Sequence, residues 1–146
     1  MKRAQPPDDA ASPTRARWPW WVALLASLVG LGLSIVLEQI HVRTHTDPGF
    51  HSFCAIGRTL NCDIVARSPY SVFLGVPVAA WGIFAYALAT VVSLWGLLRP
   101  SRLAAACGLG LALVYLASTA VLGGISAFVV PSLCILCLAA YLVNVV

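Results

Sequence analysis

Long apolar runs dominate the chain and are interrupted by two polar stretches. Residues 18–37 contain no charged side chain, and 20 residues of helix extend about 30 Å, the thickness of a bilayer core. A second charge-free run covers residues 68–98, of which residues 74–98 are expected to span the membrane. The third run, residues 103–146, would form about 66 Å of helix, enough for two spans. The pattern predicts four transmembrane helices.

The third run can be divided in two ways. A break at Gly123-Gly124 gives two helices of conventional length but places Cys134 and Cys137 deep in the bilayer. A break near Pro131 gives a long third helix and a short fourth helix, with both thiols near an interface. We favour Pro131, because thiols that exchange electrons with a loop must be reachable from that loop.

The fold predicted from this pattern is an all-α integral membrane protein. Residues 1–17 are expected to form a disordered tail, and residues 18–146 a four-transmembrane-helix bundle. An extracytoplasmic loop at about residues 41–73 joins the first two helices. The four helices are expected at about residues 18–40, 74–98, 103–130 and 132–146. Composition agrees, because 60% of residues are apolar and 10% are charged, against about 45 to 50% and about 25% in soluble domains.

Positive charges predict the orientation. Four Lys or Arg residues lie in the first 17, and Arg99 and Arg102 flank a short turn, whereas the long loop spreads three arginines over more than thirty positions. Because cytoplasmic segments carry the excess of Lys and Arg, both termini are expected in the cytoplasm. The loop and the start of the fourth helix then share the outer face. No basic patch interleaves with aromatic residues, so the net charge of +4 does not predict nucleic-acid binding.

Four of the five cysteines form two pairs. Cys134 and Cys137 would project from one helix face, and Ser132 is a candidate N-cap that would place Cys134 in the opening turn. There the helix dipole and unpaired N–H groups favour the reactive thiolate. Cys54 and Cys62 lie in the outer loop, where a disulfide could simply close a short loop. Two pairs on one membrane face favour a relay in which thiolate attack moves the disulfide between them.

A second class of function fits part of the same pattern. His41 and His45 have the i, i+4 spacing of metal ligands. Asp47 is the one carboxylate at a matching spacing, so the histidines indicate a solvated loop, and no metal site is predicted. The alternative to a redox enzyme is a non-enzymatic four-helix membrane scaffold or metal-handling protein whose Cys54–Cys62 disulfide is structural. In that case the loop disulfide would stay oxidised and would not exchange with other thiols.

The order of motifs resembles that of the bacterial vitamin K epoxide reductase homologues. The motifs are Asn61-Cys62-Asp63, the segment at residues 68–77 (SPYSVFLGVP), and Cys134-Ile-Leu-Cys137 followed by Tyr141. The resemblance implies a four-helix membrane enzyme that oxidises an extracytoplasmic thioredoxin-like protein and reduces a quinone. We expect no fused thioredoxin-like domain, so the partner would be a separate protein.

The resemblance also implies a role for each of the four paired cysteines. Cys54 would be the outer shuttle that meets the partner, and Cys62 the inner shuttle. Cys134 would exchange with Cys62, and Cys137 would face the quinone. These roles place the active site on the extracytoplasmic face of the cell inner or plasma membrane.

Two further residues match positions that the family uses near its quinone, and a third position has no clear counterpart in this chain. Tyr141 matches a quinone-contacting tyrosine, and Ser68 matches a loop serine six residues beyond the inner shuttle. Ser71 stands nearest to a quinone-contacting asparagine of the mammalian members. The expected cofactor is a quinone of the menaquinone, ubiquinone or vitamin K type, drawn from the pool in the lipid bilayer.

Overall fold

The computed structural model describes residues 17–57, 59–130 and 132–145; the rest of the predicted tail, residues 1–16, lies outside them. Three helices are long and apolar enough to cross a membrane, and a shorter apolar helix follows them. The elements in chain order are α1 (Trp18–Thr46), the short α2 (Cys62–Ala66), a 3-10 turn (Pro69–Ser71), strands β1 (Val72–Phe73) and β2 (Val76–Pro77), α3 (Val78–Leu98), α4 (Arg102–Phe128) and α5 (Ile135–Val145). The prediction of a mostly helical membrane protein is confirmed.

Helix α1 continues six residues beyond its expected end at residue 40. Its 29 residues extend about 43 Å, more than a bilayer core needs. The last turns are polar, and their side chains bond back to the helix: Thr46 Oγ1 donates to the Val42 carbonyl, and His45 Nδ1 lies 2.8 Å from the His41 carbonyl. The apolar pattern therefore stops before the helix does.

A hairpin replaces the expected first turn of the second membrane helix. Strands β1 and β2 pair antiparallel, and Leu74 and Gly75 between them have positive φ angles of 54° and 77°. Such backbone cannot continue into a helix, so α3 begins only at Val78. Trp81 Nε1 donates to the Phe73 carbonyl at 3.2 Å and fastens the hairpin to α3.

The connection between the last two helices falls between residues 129 and 134. Gly123 and Gly124 lie inside α4, and the favoured break point Pro131 is outside the described residues. One prediction made here is wrong in detail: Cys134 is not in the opening turn of α5 but directly before its first residue. The physical reason is that Leu133 is extended and paired with Leu60, so the chain turns helical only after it.

The four longest helices pack as a ring. Helix α1 packs against α3 and α5, and α4 packs against the same two helices. Gly30 of α1 admits the ring of Tyr86, since a Cβ there would lie 2.2 Å from Tyr86 Cε1. At the far end Arg17, which the sequence assigned to the disordered tail, donates to the Leu97 carbonyl at 2.9 Å. The start of α1 and the end of α3 are therefore at the same end of the ring, opposite the four paired cysteines.

Candidate active site

A disulfide joins Cys54 and Cys62 in the segment between α1 and α3. Both residues are buried, with 1% and 2% of their surface exposed. Asn61 caps the short helix that begins at Cys62, because its side-chain oxygen accepts hydrogen bonds from the N–H groups of Asp63 and Ile64. This cap satisfies N–H groups that a helix start leaves unpaired, and it fixes Cys62 at the head of α2.

A single parallel β-bridge joins the loop to the segment before α5. Leu60 pairs with Leu133; Leu133 N–H donates to the Thr59 carbonyl at 2.8 Å, and Asn61 N–H donates to the Leu133 carbonyl at 3.0 Å. Cys62 follows one side of the bridge and Cys134 the other. The bridge therefore holds the two redox segments together through main-chain atoms, which the sequence analysis did not predict.

The four paired cysteines meet in one place. Cys54, Cys62 and Cys134 form a single buried cluster with Ile40, and Cys137 packs against it. The fifth cysteine, Cys107, lies apart on α4. The arrangement puts the loop disulfide next to the free Cys134 thiol, as an exchange between the pairs would require.

Cys54 is less accessible than an outer shuttle was expected to be. Its exposed fraction is 1%, although its neighbours Phe53 and Ile56 are 73% and 70% exposed. Thiol–disulfide exchange needs access to the attacked sulfur. A protein thiol can therefore attack Cys54 only after this part of the loop has moved.

Cys134 is the N-cap residue of α5. Its carbonyl accepts from Leu138 N–H at 3.0 Å, and its Sγ accepts from Cys137 N–H at 3.2 Å. Hydrogen bonding from the Cys137 side chain, helped by backbone N–H groups, lowers the pKa of the Cys134 thiol although its burial acts in the opposite direction. The capping position thus favours a thiolate on the sulfur next to the loop pair.

A cavity of about 900 Å³ opens beside this cluster. Cys62, Cys134 and Cys137 lie on its wall, together with Tyr141 of α5. Most of the other wall residues are apolar, and they come from α1, α2, α3, α4 and the segment between α2 and α3. A large and mostly apolar space with few polar groups is typical of sites for flat organic cofactors.

Comparison with known proteins agrees with this geometry. The model of the vitamin K epoxide reductase family matches residues 13–146, nearly the whole chain. The chain belongs to that family. No curated protein matches the sequence. The vitamin K epoxide reductase family comprises membrane oxidoreductases associated with quinones, and membership indicates quinone-linked disulfide redox activity.

The three candidate quinone-contacting residues, Tyr141, Ser68 and Ser71, all line the cavity. Their hydroxyl groups differ in whether they already donate a hydrogen bond within the protein. Ser68 Oγ donates to the Val65 carbonyl at 2.8 Å, and Ser71 Oγ donates to the Ala66 carbonyl at 2.7 Å. The Tyr141 hydroxyl makes no hydrogen bond to any residue that the structure describes. A quinone carbonyl needs a donor, and of these three Tyr141 has an uncommitted hydroxyl hydrogen.

A hydrogen-bonded chain crosses the cavity wall at the side opposite the cysteines. Tyr86 Oη donates to Asn144 Oδ1 at 2.6 Å, and Asn144 Nδ2 donates to Thr119 Oγ1 at 2.8 Å. The chain ties α3, α5 and α4 together. Asn144 therefore both bonds across helices and lines the cavity. No periodic signal distinguishes Tyr86 from the other aromatic residues.

Proposed function

We propose that the protein is a quinone-dependent thiol oxidoreductase that forms disulfides in a separate, extracytoplasmic thioredoxin-like partner. Electrons pass from the partner to Cys54 and Cys62, then to Cys134 and Cys137, and finally to a membrane quinone. One observation carries the proposal: the loop disulfide and the Cys134 thiol share a buried cluster that opens onto a cavity large enough for a quinone ring. The protein would act as a four-transmembrane-helix bundle, with α5 as the fourth span.

Each transfer between two cysteine pairs is a thiol–disulfide exchange. The partner reduces the Cys54–Cys62 disulfide and is itself oxidised by two electrons. The Cys62 thiolate then attacks Cys134 in an oxidised Cys134–Cys137 pair, and Cys137 leaves as a thiolate. Cys54 attacks Cys62, which re-forms the loop disulfide and releases Cys134. The structure contains a loop disulfide together with free Cys134 and Cys137, the state that this last exchange produces.

The reduced Cys134 and Cys137 thiols can then pass two electrons to a quinone. A bound quinone would accept two electrons and two protons, which oxidation of the Cys134–Cys137 dithiol to a disulfide releases. Cys137 would hold a thiol at the cavity wall, and the Tyr141 hydroxyl would donate a hydrogen bond that orients a carbonyl group. The apolar cavity wall would exclude water from the Cys137 sulfur.

The test is quinone reduction by the purified full-length protein. With a reduced thioredoxin-like donor in excess, one quinone should be reduced for each donor dithiol oxidised. The scaffold alternative predicts the same loop disulfide and free helix thiols, so the static arrangement does not separate the two functions. The scaffold alternative predicts no quinone reduction, and it predicts a loop disulfide that neither donor nor quinone changes. This result would refute the enzyme proposal.

Removal of the Tyr141 hydroxyl should weaken quinone use. For Tyr141→Phe we expect a rise in the apparent quinone KM or a fall in turnover of a few-fold to tenfold, since one lost hydrogen bond costs about 0.5 to 1.5 kcal/mol. Exchange between the partner and Cys54 should be unaffected. Tyr115→Phe is the matched control, because that hydroxyl lines the same cavity but already donates to the Ala85 carbonyl at 2.6 Å. Equal quinone kinetics in wild type and Tyr141→Phe would remove Tyr141 from the site.

The proposed orientation places the loop outside and both termini in the cytoplasm. Two exposed prolines provide matched reporters: Pro48 after α1, and Pro100 in the turn between α3 and α4. In intact cells a membrane-impermeant maleimide should label Pro48→Cys, and should label Pro100→Cys only after lysis. The unmodified chain measures the background from native thiols. The reverse labelling pattern would overturn the orientation.

A further inference from the structure

A buried hydroxyl group lies against the sulfur of Cys54. Ser52 Oγ is 3.4 Å from Cys54 Sγ, and the two residues are 6% and 1% exposed. The Cys54 sulfur is in a disulfide and carries no hydrogen, so the serine hydroxyl is the donor. The Ser52 hydroxyl hydrogen therefore points at Cys54 Sγ. In the proposed function this is the sulfur that exchanges with the partner.

Asp63 holds this serine in place. The Asp63 carboxylate, 7% exposed, accepts a hydrogen bond from Ser52 N–H, with its two oxygens 3.1 and 3.3 Å from the nitrogen. Asp63 is in turn fixed at the start of α2, where its own N–H donates to Asn61 Oδ1. The backbone of residue 52 is thus anchored to the helix that carries Cys62, and the hydroxyl stays at Cys54 instead of turning to water.

We propose that Ser52 is a catalytic residue that stabilises the Cys54 thiolate during exchange with the partner. This inference rests on the proposed function of the loop pair. The partner's first thiolate attacks Cys54, a mixed disulfide forms, and Cys62 leaves as a thiolate. The partner's second thiolate then attacks the partner sulfur of that bond. The bond to Cys54 breaks, its electron pair goes to Cys54, and the partner leaves oxidised.

The Ser52 hydrogen bond acts on the last of these steps. A thiolate accepts a stronger hydrogen bond than a neutral sulfur does, because the bond is charge-assisted. A thiol with a lower pKa is also a better leaving group in thiol–disulfide exchange. The hydroxyl therefore favours release of the partner from Cys54 without forming a covalent bond itself.

The experiment measures thiolate formation at Cys54 directly. The full-length protein is fully reduced and alkylated with iodoacetamide over a series of pH values, and the Cys54 and Cys62 peptides are quantified separately by mass spectrometry. In Ser52→Ala the midpoint pH for Cys54 alkylation should rise by about 0.5 to 1 unit, the equivalent of one lost hydrogen bond. The Cys62 midpoint should move less, since Ser52 contacts only the Cys54 sulfur and Cys62 responds only through its coupling to Cys54. Ser52→Thr, which keeps the hydroxyl, should restore the wild-type value.

Other charges near the loop are the same in all three proteins. They include Asp63 on α2, His51 beside Ser52, and Arg43 and His41 on α1, of which Arg43 lies over the ring of Phe50. The thiols of Cys62, Cys134 and Cys137, which lie in the same cluster as Cys54, are also the same in all three proteins. An unchanged Cys54 midpoint in Ser52→Ala would overturn the proposal. So would equal shifts at Cys54 and Cys62, which would indicate a general loosening of the loop. The assay contains neither partner nor quinone, so its outcome is independent of the test of the proposed function.

Discussion

Replacement of Cys54 by alanine should trap a disulfide between Cys62 and Cys134. Cys54 is the thiol that would resolve this bond, and the Leu60–Leu133 bridge keeps the two sulfur-bearing segments together whether or not Cys54 is present. The trapped bond should accumulate in the oxidised membrane protein, and turnover with partner and quinone should fall to background. Non-reducing proteolysis and mass mapping of linked peptides would detect it.

Cys62 and Cys134 provide the controls for this variant. Cys62→Ser should abolish the trapped species, because its attacking sulfur is gone. Cys134→Ser should abolish it as well. The relay is falsified if Cys54→Ala contains only a Cys134–Cys137 disulfide and still oxidises thiols with quinone at the wild-type rate, since electrons would then bypass the outer loop.

Replacement of Cys137 by serine should separate the two halves of the reaction. The loop disulfide remains intact in this variant, so the protein should still oxidise about one equivalent of reduced partner. Steady-state quinone reduction should be lost to the background rate, because no Cys134–Cys137 disulfide can form. Rapid-mixing measurement of partner oxidation, followed by quinone absorbance, reads out both halves in one sample.

Cys107 provides the matched control for loss of a cysteine. It is a free, half-buried thiol on α4, apart from the cluster, and Cys107→Ser should keep both halves of the reaction. Continued quinone reduction at the wild-type rate by Cys137→Ser would show that another thiol delivers the electrons and would remove Cys137 from its proposed role.

The long apolar helices could be predicted because hydrophobicity is summed over many successive residues of the chain. Twenty successive apolar residues identify a span whatever their order, and α1, α3 and α4 all follow this rule. The hairpin before α3 was missed for the same reason. Strands of two residues have no measurable alternation, and Val72 to Pro77 are as apolar as the helix that follows. Length and hydropathy alone do not distinguish a short hairpin from a first helical turn.

The candidate site divides in a similar way. The cysteines could be identified because two pairs of reactive residues in an apolar chain are conspicuous, and Tyr141 because it follows the helix pair at one turn. The contacts that bring these residues together have no recognisable signature in the amino-acid sequence. The Leu60–Leu133 bridge uses main-chain atoms, which every residue but proline offers in full. The contact between Asp63 and Ser52 joins residues 11 apart through a backbone N–H, and neither side-chain type is unusual in a loop.

Burial of Cys54 has a kinetic consequence for the oxidised protein. A sulfur that is 1% exposed is attacked only during local opening, so the observed rate is the intrinsic exchange rate multiplied by the open fraction. Small-molecule thiols contribute no binding energy to that opening and react slowly. A protein that binds the exposed Phe53 and Ile56 beside the disulfide can stabilise the open form while it reacts. In the proposed reaction the closed loop would therefore discriminate between reductants by the free energy needed to expose Cys54, in addition to their redox potentials.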